Sequence, residues 1–155
     1  MVVRSKHRKE ATVSLILLKD DHVLLLKRHS TGWADGYFAP VAGCVDDNES
    51  IVDAVIREAQ EEANITVRPE WLTFGCVMDA HIIGRGQDCI DFYFIATRWE
   101  GEITNNEPHK HKDLGFFPLS NLPEETLPFV KVAIAHALQG TRFGEIGWKS
   151  PVEIC

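Results

Sequence analysis

The stretch Arg57-Glu58-Ala59-Gln60-Glu61-Glu62 carries more structural information than any other part of this chain. Its three glutamates stand at spacings i, i+3 and i+4, which on an α-helix place Glu58, Glu61 and Glu62 on one face. Like charges this close repel each other, so an ordinary helix has no reason to gather them. A hard divalent cation supplies a reason, because Mg²⁺ takes oxygen ligands and is commonly held by a few carboxylates together with substrate phosphates. A solvated acidic helix face is the alternative interpretation.

The flanking residues predict that this helix runs from about residue 51 to residue 63. Asp46-Asp47-Asn48 supplies capping chemistry just before it, and Ser50 with Asp53 approximates a capping box. The apolar side of the helix comprises Ile51, Val52, Val55, Ile56 and Ala59. The acidic residues lie on the other side, so one face of the helix packs on a core and the opposite face presents carboxylates.

A fixed spacing of residues extends to both sides of this helix. Gly43 is followed after five residues by Glu49, after seven more by Arg57-Glu58, and then by Glu61-Glu62 and Ile65. The spacing resembles the Nudix box of pyrophosphate-cleaving hydrolases, which reads Gly, five residues, Glu, seven residues, Arg-Glu-aliphatic-any-Glu-Glu-any-Gly-aliphatic. One position departs, because Asn64 stands where the family has Gly. Asn is the next-best residue for a left-handed helix cap, so the departure concerns the cap rather than the chemistry.

The resemblance implies an α/β/α sandwich with a mixed β-sheet between helices, and the order of the predicted elements agrees with this α/β fold class. A hairpin is predicted at residues 11–18 and 22–27. Further strands are predicted at 37–41, 89–99 and 114–119, and one or two strands are predicted around 71–78. The strand at 89–99 is apolar on both faces and therefore central. A last helix begins at Pro128 and ends at Gly140. The segment 141–148 is expected to pack over the core, and a dimer contact is the alternative.

By the same resemblance, Glu58, Glu61 and Glu62 coordinate Mg²⁺, for which Mn²⁺ can substitute, and one of them accepts a proton from the attacking water. The backbone carbonyl of Ala42 is the matching main-chain ligand, and Gly43 lets the loop backbone approach the metal and the substrate. Metal ions at such a site offset the charge of a pyrophosphate and lower the pKa of a bound water.

Arg57 and Glu49 are assigned a supporting role in catalysis. The family pattern pairs them in a salt bridge that fixes the box loop against the helix, so we expect them to act through loop geometry. A surface ion pair worth about 0.5 kcal/mol is the alternative.

A second segment of the chain supplies one more acidic candidate. Arg98-Trp99-Glu100-Gly101-Glu102, followed five residues later by Glu107, is similar to a segment of the MutT-like nucleotide-clearing Nudix enzymes. There the last glutamate enters from a loop as a further metal ligand or base, and Glu107 matches it. A surface glutamate is the alternative. His109 and His111, close by, are not spaced like zinc ligands.

Candidate substrate-binding residues lie mostly before the box. Arg28 ends the second strand fifteen residues before Gly43, where MutT-like enzymes have a phosphate-contacting arginine, and Lys27 stands beside it. A solvating cluster at a strand end is the alternative for both. Phe38 can stack on a nucleobase or pack in the core. Asp91, in an apolar strand, can hydrogen-bond a base edge or be a satisfied buried aspartate.

The length, net charge and cysteine content of the chain limit the classes of protein to which it can belong. The 155 residues fit one Nudix domain, 1–155, with residues 1–9 as a flexible basic N-terminus that lacks the apolar run of a secretory signal. The formal charge of −7 disfavours broad binding to nucleic acid, and no apolar run reaches transmembrane length. The four cysteines are scattered without a Cys-x-x-Cys pair, which fits a reducing cytosol. We therefore expect a cytoplasmic monomer or homodimer with a small-molecule nucleotide substrate.

The leading hypothesis is Mg²⁺-dependent hydrolysis of an ordinary or oxidised nucleoside triphosphate to a nucleoside monophosphate and pyrophosphate. The alternative substrate is another nucleoside diphosphate-linked compound, such as a nucleotide sugar, a dinucleoside polyphosphate or a capped RNA. A non-catalytic Nudix domain that binds a nucleotide is the rival from a different class, but such domains usually lose a box glutamate or arginine, and none is lost here.

Overall fold

A computed structural model describes residues 6–154 of the chain as a mixed β-sheet with two helices. The two helices are α1 (Ile51–Ala63) and α2 (Pro128–Gln139), and a short 3₁₀ turn covers Pro69–Trp71. The strands are β1 (Glu10–Lys19), β2 (His22–Arg28), β3 (Phe38–Ala39), β4 (Val41–Cys44), β5 (Thr73–Ala80), β6 (Ile82–Ile83), β7 (Cys89–Ala96), β8 (His111–Pro118), β9 (Phe143–Ile146) and β10 (Val152–Glu153).

The long strand β1 joins the two halves of the main sheet. Its neighbours follow the order β3-β2-β1-β7-β5-β9, while β4 also pairs with β1 and β8 pairs with β2. The β1–β7 pair is parallel, with Thr12 opposite Asp91 and Ser14 opposite Tyr93. The β1–β4 pair is antiparallel, with Ser14 opposite Ala42. Strand β4, which leads into the box loop, and the central strand β7 therefore both pair with the first half of β1.

Alternate residues of β1 enter two different core layers, as the period of a strand requires. Residues of one face pack with α1, and this layer includes Val13, Leu15, Leu17, Ala54, Val55 and Ala59. Residues of the opposite face pack with α2, and this second layer includes Ile16, Cys76, Tyr93, Phe129 and Ala133. A sheet covered by a helix on each face is the predicted α/β/α sandwich, so the predicted fold class is confirmed.

The predicted elements differ from the observed ones mainly at their ends. The helix over Ile51–Ala63 is confirmed, and Asn64 closes it in the left-handed region at φ 59°. The predicted strand 37–41 is wrong as one element, because Pro40 has no N–H to donate to the sheet and separates β3 from β4. Residues 141–148 do not simply cover the core, since β9 adds a parallel strand beside β5.

The ends of the chain are only partly described. Residues 1–5 of the predicted flexible N-terminus lie outside the described residues. Of the remainder, the Lys9 ammonium pairs with Asp79 at 2.5 Å and the His7 ring lies 2.8 Å from Asp88. The described cysteines Cys44, Cys76 and Cys89 are free thiols. Neither helix within residues 6–154 has the length and apolar character needed to cross a bilayer.

Candidate functional site

Helix α1 carries two of its glutamates against the sheet rather than into solvent. Ser50 begins the helix by accepting a hydrogen bond on its Oγ from the Asp53 N–H at 3.1 Å, and this cap fixes where each later residue points. Glu58 and Glu62 are buried, with 8% and 7% of their surface exposed. The Glu61 side chain, at 46% exposure, lies at the rim of the same face.

The box loop and β4 fit closely around these carboxylates. A Cβ placed on Gly43 would lie 1.9 Å from Glu58 Oε1, so only glycine leaves room for the carboxylate at this position. The Ala42 N–H donates to Glu62 Oε2 at 2.9 Å. Gly43 and Ala42 thus bring the backbone of β4 into contact with both buried glutamates.

All three nitrogens of the Arg57 guanidinium group donate hydrogen bonds, and these bonds connect the box loop to helix α1. Its Nε and Nη2 donate to the two Glu49 carboxylate oxygens at 2.7 and 3.0 Å. Nη1 donates to Glu58 Oε1 at 2.7 Å, and Nη2 also donates to the Cys44 carbonyl at 2.9 Å. The hydrogen bond from Arg57 lowers the pKa of Glu49. This bidentate pair has more contacts than the simple surface ion pair that was the alternative.

Glu107, just before the turn at residues 108–110, and His111, the first residue of β8, lie together at the site. The carboxylate oxygens of Glu62 and Glu107 and a ring nitrogen of His111 all lie within 4.8 Å of one another. His111 Nε2 is 3.5 Å from Glu62 Oε1, and burial lowers the pKa of His111 to about 4, so this imidazole is neutral at pH 7. Lys110 donates to Glu107 at 2.8 Å. Glu107 was predicted from the sequence, whereas His111 was not, because the residues around His111 show no spacing typical of metal ligands.

The donor set suits a hard divalent cation. Burial raises the pKa of Glu58, and it raises the pKa of Glu62 well above the ordinary value, with repulsion from Glu58 and Glu107 adding to the effect. Buried carboxylates that repel one another are costly unless a cation compensates them. The residues that would hold Mg²⁺ or Mn²⁺ are Glu58, Glu61, Glu62 and Glu107, with the Ala42 carbonyl as a main-chain candidate.

The predicted substrate-binding residues separate into two groups. The Arg28 Nε donates to the Trp33 carbonyl at 3.0 Å, and the Arg28 guanidinium lies 5.2 Å from the centre of the Trp33 ring, at the wall of a cavity. Lys27 Nζ instead lies 5.1 Å over the ring of Phe38, and Phe38 packs edge-on against Phe117. Neither Lys27 nor Phe38 lines the cavity, whereas Arg28 does, and a role for Lys27 and Phe38 in binding substrate stays a prediction.

The cavity that Arg28 lines has a volume of about 240 Å³ and opens beside Ala42 and Gly43. Asp91 lies at its inner end, fully buried, and this burial raises the pKa of its carboxyl group. Trp33 forms part of the wall. A patch of buried carboxylates, an arginine and a half-open cavity therefore lie next to one another, and their chemistry could accommodate a phosphorylated ring compound.

Known proteins share both the sequence pattern and this fold. The NUDIX domain model matches residues 8–137 of the chain. An ADP-ribose pyrophosphatase of Methanocaldococcus jannaschii is 31% identical over 117 residues, which cover 76% of this chain and 66% of the archaeal protein. The human 8-oxo-dGDP phosphatase NUDT18 is 26% identical over 113 residues, which cover 72% of this chain and 32% of the human protein. The chain thus spans less than two thirds of the length of either relative.

A solved structure supports the same assignment. The crystal structure of a MutT NUDIX hydrolase from Burkholderia pseudomallei matches with a TM-score of 0.77 at 27% identity, over 84% of this chain and 98% of that one. The box residues, the sandwich fold and the family match agree with one another. The chain therefore belongs to the Nudix hydrolase family, as a MutT-like member of these enzymes that act on phosphorus anhydrides.

Proposed function

We propose that this chain hydrolyses a nucleoside triphosphate to a nucleoside monophosphate and pyrophosphate, with Mg²⁺ as its metal. Family membership supports action on nucleoside diphosphate-linked compounds. The observation that carries the proposal is the convergence of Glu58, Glu62 and Glu107 beside the cavity that Arg28 lines. This arrangement puts carboxylates for a metal, a cation for phosphate and room for a ring within one site.

Each group has a role that follows from its position. A bound dication would supply charge neutralisation for the phosphates and acidify a water ligand. Glu61, which lies at the rim and is the most exposed of the three helix glutamates, is positioned to accept a proton from water. Arg28 is fixed by its bond to the Trp33 carbonyl and offers its remaining N–H groups to phosphate oxygens. Arg57 and Glu49 hold the loop and do not need to touch the substrate.

A nucleoside diphosphate joined to a second sugar is the second candidate substrate, because the archaeal relative is named an ADP-ribose pyrophosphatase. Either candidate needs to place only one ring system in the cavity of about 240 Å³, so the cavity volume does not separate them and the substrate panel does. An oxidised nucleotide is a variant of the leading proposal, in keeping with the name of the human relative.

A substrate panel tests the proposal. The protein is incubated with ordinary and oxidised nucleoside triphosphates, ADP-ribose, a nucleotide sugar and a dinucleoside polyphosphate, with Mg²⁺, Mn²⁺ or EDTA. We expect pyrophosphate release from a triphosphate that stops in EDTA, and ¹⁸O water locates the attacked phosphorus in the labelled product. Cleavage of ADP-ribose alone would replace the triphosphate with the second candidate.

A matched pair of variants separates a catalyst from a nucleotide-binding domain. Glu61→Gln removes a charge from the site, whereas Glu70→Gln makes the same change at an exposed position on the 3₁₀ turn. We expect Glu61→Gln to lower kcat by at least about 100-fold, the scale of general acid–base catalysis, while Glu70→Gln leaves it unchanged. Nucleotide binding with no turnover by the unmodified protein would identify a non-catalytic domain.

A single domain over 1–155, a cytoplasmic location and a monomeric or homodimeric state stay predictions. Free thiols at Cys44, Cys76 and Cys89 are consistent with a reducing compartment. Sedimentation of the purified protein determines the oligomeric state.

A further inference from the structure

A polar patch interrupts the apolar face that the sheet turns toward α2. Thr12 and Ser14 are alternate residues of β1, and they stand opposite Asp91 and Tyr93 of β7 in the parallel register. Both strands therefore direct these side chains to the same face. Further along β1 the same face continues with Ile16, which is buried in the core against α2. Four polar side chains at one end of an otherwise apolar layer need an explanation beyond packing.

The groups in this patch are incompletely satisfied. Ser14 Oγ donates to Asp91 only at long distances, 3.3 Å to Oδ1 and 3.5 Å to Oδ2. Thr12 Oγ1 and Trp33 Nε1 are buried and have no hydrogen-bond partner among the described residues. A carboxylate can accept about four hydrogen bonds. Burying such groups without partners is unfavourable, so the patch is better suited to a bound polar molecule than to the closed core.

The patch lines the same cavity as Ala42 and Gly43, whose backbones approach the buried glutamates closely. Because Ala42 and Gly43 are partly exposed while Thr12, Ser14 and Asp91 are buried, the first pair marks the mouth of the cavity and the second group its interior. Two guanidinium groups lie near the Trp33 ring, that of Arg28 at 5.2 Å and that of Arg85 at 5.5 Å from its centre. A nucleotide whose phosphates lie at the mouth would place its base in this interior, with one edge directed at the Asp91 carboxyl group.

We propose that Asp91, supported by Thr12 and Ser14, determines base specificity by binding the amino-bearing edge of a purine. A carboxylate accepts hydrogen bonds, so it pairs with the N–H groups of guanine or adenine and opposes the lone pairs of a keto group. A site built around such a hydrogen bond rejects an analogue that lacks the donor. This inference rests on the proposed nucleotide substrate and adds a class of base to it.

The test compares three purine nucleotides that differ in an exocyclic amino group, with one pyrimidine nucleotide as a reference. Isothermal titration in EDTA measures the binding of GMP, AMP, IMP and UMP, so the readout requires neither turnover nor metal. We expect GMP or AMP to bind at least about tenfold more tightly than IMP and UMP, a discrimination typical of one hydrogen-bonding group in a pocket. Asp91→Asn should reduce this ratio to within about threefold, since its amide presents both a donor and an acceptor.

Matched variants exclude a merely structural role for Asp91. Asp79→Asn makes the same change on the neighbouring strand β5, outside the cavity, and should keep the full preference. Ser14→Ala removes a hydroxyl that contacts Asp91 and should reduce the preference without deleting the carboxylate, which keeps the inference testable if Asp91→Asn does not fold. Circular dichroism checks the folding of each variant.

The outcomes separate the two proposals. Selective binding of an amino purine without hydrolysis of any nucleotide would overturn the proposed function and support the role of Asp91. Hydrolysis of triphosphates together with an unchanged GMP-to-IMP ratio in folded Asp91→Asn and Ser14→Ala would overturn the role of Asp91 and leave the proposed function intact. The kcat/KM values for GTP, ATP and ITP should follow the same ratio as binding.

Discussion

Gly43 demonstrates how the absence of one side chain can leave room for a buried carboxylate. Because a Cβ here would lie 1.9 Å from Glu58 Oε1, Gly43→Ala must displace the Glu58 carboxylate. We expect kcat/KM to fall by at least about 100-fold, since displacements of about 1 Å in a catalytic group have effects of this size. Mn²⁺ binding, measured by electron paramagnetic resonance, should weaken in parallel.

Gly115→Ala is the matched control for this substitution. Its added methyl group would meet only the Phe117 ring, at 3.7 Å, which is ordinary van der Waals contact. This variant should keep wild-type kinetics and metal affinity. Wild-type activity in a folded Gly43→Ala protein would show that the position of Glu58 does not govern the reaction.

Asp91→Asn is predicted to stabilise the protein at neutral pH. Burial raises the pKa of Asp91. At pH values between the ordinary pKa and this raised folded-state pKa, the folded chain retains a proton that the unfolded chain has released. Stability therefore falls as pH rises through that window, and an amide, which does not titrate, avoids this loss. The nearby Arg85 guanidinium opposes the shift but does not reverse it. We expect a gain on the order of 1 kcal/mol at pH 7.

Thermal unfolding measures this gain as a rise in Tm of roughly 2–4 °C at pH 7, with a smaller difference at pH 4. Asp47→Asn, at an exposed position before α1, should leave Tm unchanged at both pH values. A Tm for Asp91→Asn that is lower than that of the unmodified protein at pH 7 would mean that the carboxylate is well satisfied in the fold.

At the scale of elements, Arg57 joins α1 to the loop that follows β4. Arg57→Lys keeps the charge but cannot reach Glu49, Glu58 and the Cys44 carbonyl together, because an ammonium lacks the planar fork of a guanidinium. We expect kcat to fall at least about tenfold with KM changed less than about threefold, since Arg57 contacts only protein atoms. Steady-state kinetics on the best triphosphate measures both constants.

A second arginine provides the comparison. Arg68 pairs with Glu100 at 2.6 Å, but both side chains are about half exposed. Exposed ion pairs contribute little, so Arg68→Lys should change neither kinetic constant. Equal losses of kcat in the two variants would indicate a general effect of replacing arginine by lysine rather than the loop geometry assigned to Arg57.

At the scale of the whole molecule, β9 covers an edge of the sheet. It pairs with β5, Arg142 Nη1 donates to the Phe74 and Gly75 carbonyls at 2.8 Å each, and Trp148 Nε1 donates to the Asp79 carbonyl at 3.2 Å. Removing residues 141–155 exposes the edge of β5, and exposed edges template pairing between chains. We expect this truncated protein to self-associate in sedimentation experiments.

Removal of residues 149–155 alone is the control, because it leaves β9 in place. This shorter truncation should sediment like the full chain. Self-association of both truncated proteins, or of neither, would contradict the protective role assigned to β9.

The parts of the fold that the sequence predicts well are those with local causes. Helix α1 is set by its Ser50 cap, its apolar face and the left-handed Asn64, all within one short stretch. Strand β9 could not be predicted, because its partner β5 lies more than 60 residues away and the pairing depends on backbone groups that any sequence carries. His111 was missed for a related reason, since a turn rather than a spacing brings it to Glu62.

The alternation of β1 has a consequence for how this enzyme can diversify. Odd-numbered residues of its first half support the helix that bears the acidic ligands, whereas even-numbered ones face the chamber that ends at Asp91. Under the proposal for Asp91, substitutions at Thr12 or Ser14 would change base preference, whereas the odd-numbered residues that pack against α1 would stay in place. Insertion of a single residue in this part of β1 would exchange its two faces and disrupt both layers at once.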